Sequence, residues 1–152
     1  MEYQSKLTVK IGIVLPYLKS RGTEKQSLAL AKGFLTKGAT VILFVIQGWG
    51  LEEMYHAFSE AGIIVVNVGN PININRKTVS KKRLFSLSQL IRKHNCDIVL
   101  SRAAMTNQIS SLAAFWAGIP SVVVFSNSNI VGNHKNPIKN WIKSIQEKII
   151  IN

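Results

Sequence analysis

The chain has 152 residues, 47% of them apolar, one cysteine and a formal net charge of +12. That length fits one domain with a real core, and the apolar share excludes an intrinsically disordered chain. The lone Cys96 excludes an intramolecular disulfide framework and fits a reducing, cytoplasmic compartment, while the apolar runs fall short of the roughly 20 residues of a membrane-spanning helix.

Along the chain, short β-branched apolar runs at 9–15, 41–46, 63–68, 98–100 and 121–125 alternate with longer segments of helical spacing. Continuously apolar strands separated by helices predict a parallel sheet covered on both faces. The first helix is expected over 23–37, with Thr23 as N-cap, a stripe of Leu28, Ala31 and Leu35, and Gly38 as the stop. A second spans 51–61 and ends at Gly62. A third, over 79–94, buries Leu84, Leu87 and Ile91 and carries Lys81, Lys82, Arg83, Arg92 and Lys93 outside. The fourth, over 107–117, is apolar nearly all round, which predicts deep burial. A fifth begins at Asn136-Pro137, with a stripe of Ile138, Trp141, Ile142, Ile145 and Ile149 and with Lys139 and Lys143 beside it. The expected fold is a Rossmann-like, three-layer α/β domain over 1–152. Its five-stranded parallel sheet takes the order 3-2-1-4-5, from short connections and right-handed crossovers.

In such a sheet the ligand crevice lies beyond the carboxyl ends of strands one and four. The loop after strand one offers Arg21, Gly22, Thr23 and Glu24 at a helix start, where backbone N–H groups favour an anion. The same residues suit a capping turn in which Gly22 supplies an unusual dihedral and Thr23 caps. The loop after strand four offers Arg102, whose guanidinium can fork onto a phosphate or carboxylate or lean out to solvent. Thr106 or Asn107 would cap the helix that follows. Gly-x-Gly-x-x-Gly and the P-loop are both absent after strand one, and Gly48-Trp49-Gly50 reads as a flexible turn. His56, His94 and His134 lack metal-ligand spacing, and no nucleophile–base set is visible, so no metal is expected.

The stretches Lys10-Ile11-Gly12-Ile13-Val14-Leu15, Arg21-Gly22-Thr23-Glu24 through Gly33-Phe34, and Lys37-Gly38-Ala39-Thr40-Val41 resemble the opening of glycosyltransferase family four. Asp97-Ile98-Val99-Leu100-Ser101-Arg102 and Leu112-Ala113-Ala114-Phe115-Trp116-Ala117-Gly118-Ile119-Pro120 look like later landmarks of that family, so the resemblance covers about residues 9–126. It implies the acceptor-side half of a GT-B fold and retaining transfer of a hexose from a nucleotide-sugar to a saccharide or lipid-linked acceptor, without a metal. Gly22 matches the second of the two first-loop glycines that approach the donor diphosphate and acceptor. Arg21 stands where the first is usual, and Arg102 where many members carry a histidine. The family grips the nucleotide with paired glutamates of a second domain, which 152 residues do not reach. The resemblance therefore implies half an enzyme, inactive alone, either truncated or completed by a donor-binding domain as its partner on another chain.

The charge is one-sided. Residues 1–60 hold seven Lys/Arg against five Asp/Glu, a balance of +2, and residues 61–152 hold twelve against two, a balance of +10. A basic surface attracts anions or simply solvates the protein. Lys81, Lys82, Arg83, Lys139, Trp141 and Lys143 form the candidate surface for an anionic membrane or a protein partner, which would make the chain a peripheral, non-catalytic docking module on the inner leaflet. An apolar face left uncovered would instead favour a homodimer. Nucleic acid is not expected, because aromatics do not interleave with the basic residues.

Overall fold

The computed structural model describes residues 8–47, 50, 52–69 and 81–124. In order these form β1 (Lys10–Leu15), α1 (Gly22–Thr36), β2 (Thr40–Val45), α2 (Glu52–Glu60), β3 (Ile64–Asn67), α3 (Lys81–Lys93), β4 (Ile98–Ser101), α4 (Ala104–Ala117) and β5 (Ser121–Val123). The expected fifth helix, with Lys139, Trp141 and Lys143, lies outside the described residues.

The five strands pair in parallel in the order β3-β2-β1-β4-β5, as the alternating pattern predicts. The order leaves β1 and β4 as neighbours although 87 residues separate Lys10 from Asp97. The Asp97 carboxylate accepts from the Lys10 amide at 2.7 Å and closes the amino-terminal edge between them. Two cores follow from the two-residue period of the strands. On one face Ile11, Ile13, Leu15, Val41, Leu43 and Val45 pack with Leu18, Ala31, Met54, Phe58 and Ile63 under α1 and α2. On the other, Val14, Ile42, Phe44 and Val99 pack with Leu84, Leu87, Ile91, Ile109, Ala113 and Ala114 under α3 and α4. Each large side chain so buried contributes roughly 1.5–3 kcal/mol, and the central pair β1 and β2 carries most of them.

Helix ends depart from the expectation at their starts and agree at their stops. Gly38 and Gly62 stand at φ +83° and +82°, the left-handed conformation that ends α1 and α2 where predicted. The start of α1 is different. Its N-cap is Arg21, extended at φ −110°, with no capping side chain, and Thr23 lies already inside the helix. Likewise α4 begins three residues before the expected position. Its N-cap is Ala103, so neither Thr106 nor Asn107 holds the N-cap position, and Thr106 serves from the third helical position. Thr106 instead folds back: its hydroxyl donates to the Ala103 carbonyl at 2.8 Å, and its oxygen accepts from the Ala103 amide at 3.3 Å.

The expectation that α4 is deeply buried is corrected. Ile109, Ala113 and Ala114 face the sheet, whereas Leu112, Phe115 and Trp116 are exposed. An all-apolar sequence fixes no orientation, and the small residues go inward because α4 lies close on both α3 and the sheet.

Candidate functional site at the carboxyl edge

β1 and β4 end side by side, with Val14 registered on Ser101. The sheet winds outward from this pair in opposite directions, so the two loops that follow diverge to opposite faces and leave a cleft between them. The loop after β1 is long and fixed. Leu18 is fully buried within it, and Gly50 forms a parallel bridge to Leu18. Gly50 takes φ +151°, and a Cβ there would lie 1.8 Å from the Leu18 carbonyl oxygen. The turn expected to be flexible is thus, at Gly50, a backbone contact that only glycine permits. Gly48 and Trp49 lie outside the described residues.

Past Leu18 the Arg21 amide donates to the Lys19 carbonyl at 2.7 Å, and the chain enters α1. Lys19 sits with its ammonium 4.6 Å from the Tyr17 ring centre. Arg21 and Gly22 are exposed, Thr23 is half-buried and Glu24 is buried. Gly22 does not have the unusual dihedral that a capping role would need, since its φ is not positive, and nothing lies within 4 Å of a Cβ built on it. Neither strain nor crowding requires glycine there. The first-turn N–H groups of α1 carry no side-chain cap and look out on open space, with the Arg21 cation beside them. Glu24 is the counterweight. It is 2% exposed, and its Oε2 has no hydrogen-bond partner. A buried carboxylate oxygen without a donor is costly, so Glu24 is a destabilising feature at the start of α1.

The short loop after β4 brings Arg102 to the same place. Its guanidinium donates to Gln26 Oε1 at 2.7 Å, joining residues 76 positions apart in sequence. The start of α1 and the start of α4 therefore meet, as the winding predicts. Behind Arg102, Ser101 donates its hydroxyl to Asn107 Oδ1 at 2.8 Å, both residues being buried. Asn107 Nδ2 has no partner. Asn107 is thus a support inside the cleft wall and not an exposed contact. Gln26 and the Ser101–Asn107 bond were not foreseen from sequence, since nothing local marks a contact made across such separations.

The other candidates lie elsewhere. Lys81 and Lys82 are exposed at the start of α3, and Arg83 is half-buried. His56 sits 3.7 Å from Glu52 on α2. His94 packs edge-on to Phe44 with ring centres 5.9 Å apart, and burial, then Lys93 and Lys10, hold its pKa below the usual value. Burial first, and Asp97 second, push the Cys96 thiol up to about 11 against the pull of Lys10, so it stays protonated and inert. Among the described residues no cluster of metal-ligating side chains forms, and no helix is long and apolar enough to cross a membrane.

A parallel sheet of this order, with a crevice at the β1–β4 junction, defines a Rossmann-like α/β domain. Similar solved structures carry this further. A glycosyltransferase from Rickettsia africae ESF-5 matches with a TM-score of 0.62 and 24% identity over 91% of this chain and 34% of its own. The glycotransferase of kitacinnamycin matches with a TM-score of 0.59 and 16% identity, over 95% of this chain and 37% of its own. MurG of Acinetobacter baumannii matches with a TM-score of 0.55 and 15% identity, over 77% and 35%. The chain thus spans about a third of the length of each, and the likeness is one of fold. No family model matches the sequence, and no curated protein matches it.

Proposed function

We propose that the chain is the acceptor-side domain of a glycosyltransferase with the GT-B architecture, similar to family four, moving a hexose from a nucleotide-sugar to a saccharide or lipid-linked acceptor. A second domain, on the same or another polypeptide, supplies the nucleotide grip. The observation that carries this reading is the open helix start at Gly22 opposite Arg102. The first turn of α1 carries no side-chain cap, Arg21 is exposed at its N-cap, Arg102 reaches the same helix through Gln26, and no described residue lies within 4 Å of a Cβ at Gly22. In a transfer reaction such a place holds a phosphate, or the oxygen on which charge gathers, without reorganisation. Glu24 Oε2, buried and unpaired, would accept a sugar hydroxyl beside it. The similar folds of solved glycosyltransferases support the same reading.

The test has two parts. Inorganic pyrophosphate titrated into the chain should shift the amide resonances of Gly22, Thr23 and Glu24 in NMR spectra, and Gly22→Val should abolish the shift. The chain mixed with a donor-binding GT-B domain should then transfer sugar from one of a panel of nucleotide-sugars. Pyrophosphate shifts spread evenly over the basic surface, with no transfer from any donor, would sink the proposal.

A further inference from the structure

The outer surface of α3 and α4 carries features that the cleft does not use. On α4, Leu112, Phe115 and Trp116 are 52%, 77% and 46% exposed, and spacings of three and four place them on one side of the helix. On α3, Phe85 is 56% exposed. It lies two turns before Arg92 on the same flank, and the Arg92 guanidinium donates to the Trp116 carbonyl, so that flank faces α4. Phe85 thus lies on the α4 side of α3, and the three α4 side chains lie on the exposed side of the helix packed beside it. Lys81, Lys82 and Lys93 are exposed on the same helix pair, and neither α3 nor α4 contains an Asp or Glu. From residue 81 to 124 six Lys/Arg stand against one carboxylate, Asp97. That one is held by the Lys10 amide at the amino-terminal edge of the sheet.

Single exposed apolar side chains are ordinary, but a contiguous aromatic and aliphatic patch marks a contact surface. Charge decides what the contact is. A second copy would bring two cation-rimmed patches together with no carboxylate to relieve them. An anionic bilayer supplies what is missing: phosphates for the lysines, and an interfacial layer in which Trp and Phe rings settle with their apolar bodies inward. We propose that the α3–α4 face docks on an anionic lipid surface, with Phe85, Leu112, Phe115 and Trp116 entering the interface and Lys81, Lys82 and Lys93 on headgroup phosphates. This uses none of the cleft residues and stands or falls apart from the proposed transfer activity.

Co-sedimentation of the full chain with vesicles decides it, using phosphatidylcholine alone and an equal mixture with phosphatidylglycerol. The expected result is binding to the mixed vesicles that weakens with salt, and little binding to the neutral ones. Lys81→Gln combined with Lys82→Gln should weaken it about thirtyfold, and Phe115→Ala about tenfold. These side chains are exposed, so the fold should persist, which circular dichroism checks. Equal binding to both vesicles, or full binding by Phe115→Ala, overturns the proposal. A lipid-free dimer that Phe115→Ala dissociates in sedimentation velocity also overturns it, and assigns the face to a second copy.

Discussion

α1 and α4 both begin at the carboxyl edge of the central strands, both follow an extended N-cap without a capping side chain, and both stand beside an arginine. Within one turn they diverge. At α4 the side chains turn inward: Thr106 folds back on Ala103, Ser101 bonds Asn107, and even the unpaired Asn107 Nδ2 is sealed among buried neighbours. At α1 the chain stays open: Gly22 has empty space above it, Arg21 is exposed, and Glu24 keeps an oxygen without a partner. The difference separates a wall from a mouth. α4 closes its own start behind Arg102, and α1, which ties Arg102 through Gln26, leaves the Gly22 end exposed.

The contrast can be broken from its foundation upward. Gly50 holds the loop that aims α1, so Gly50→Ala, which forces a Cβ into the Leu18 carbonyl at a left-handed φ, should cost about 3 kcal/mol or more, read as a lowered urea midpoint. On the wall, Asn107→Ala strands the buried Ser101 hydroxyl and should cost about 2 kcal/mol in urea unfolding, with little change in pyrophosphate affinity per folded molecule. In the mouth the sign reverses. Gly22→Ala should leave stability within about 0.5 kcal/mol of the parent, or raise it, while weakening pyrophosphate binding in calorimetric titration. A loss of stability equal to that at Gly50 would mean the opening at Gly22 is structural after all. Arg102→Gln removes an exposed hydrogen bond and should shift stability by less than about 1 kcal/mol, so any larger effect on ligand affinity belongs to the guanidinium itself.

The smallest effects lie away from the cleft and are pH-dependent. The Cys96 thiol holds its proton in the folded protein up to about 11, while the unfolded thiol ionises near 9, so stability should fall as pH rises through that interval. His94 has a lowered pKa when folded. The unfolded state then takes up the proton first, and stability should decline as pH drops below about 6.5. Thermal melts of the parent against Cys96→Ala and His94→Gln separate the two, since each variant should lose only its own limb.

By itself the sequence determined the α/β class, the strand order, the glycine stops of α1 and α2, and the sheet edge at which the loops after β1 and β4 emerge. Those follow from periodicity, handedness and chain punctuation, which are local or topological properties. It also pointed to Arg21, Gly22 and Arg102 as loop residues at one edge. Only the tertiary structure decided that Gln26 ties Arg102 to α1, that Gly50 is a clamp, that Asn107 is a wall residue, and that α4 turns its aromatics outward. Each of those depends on which surfaces meet across tens of residues. An apolar helix has no preferred face, and a glycine no stated purpose, until a neighbour packs against it or leaves the space beside it empty.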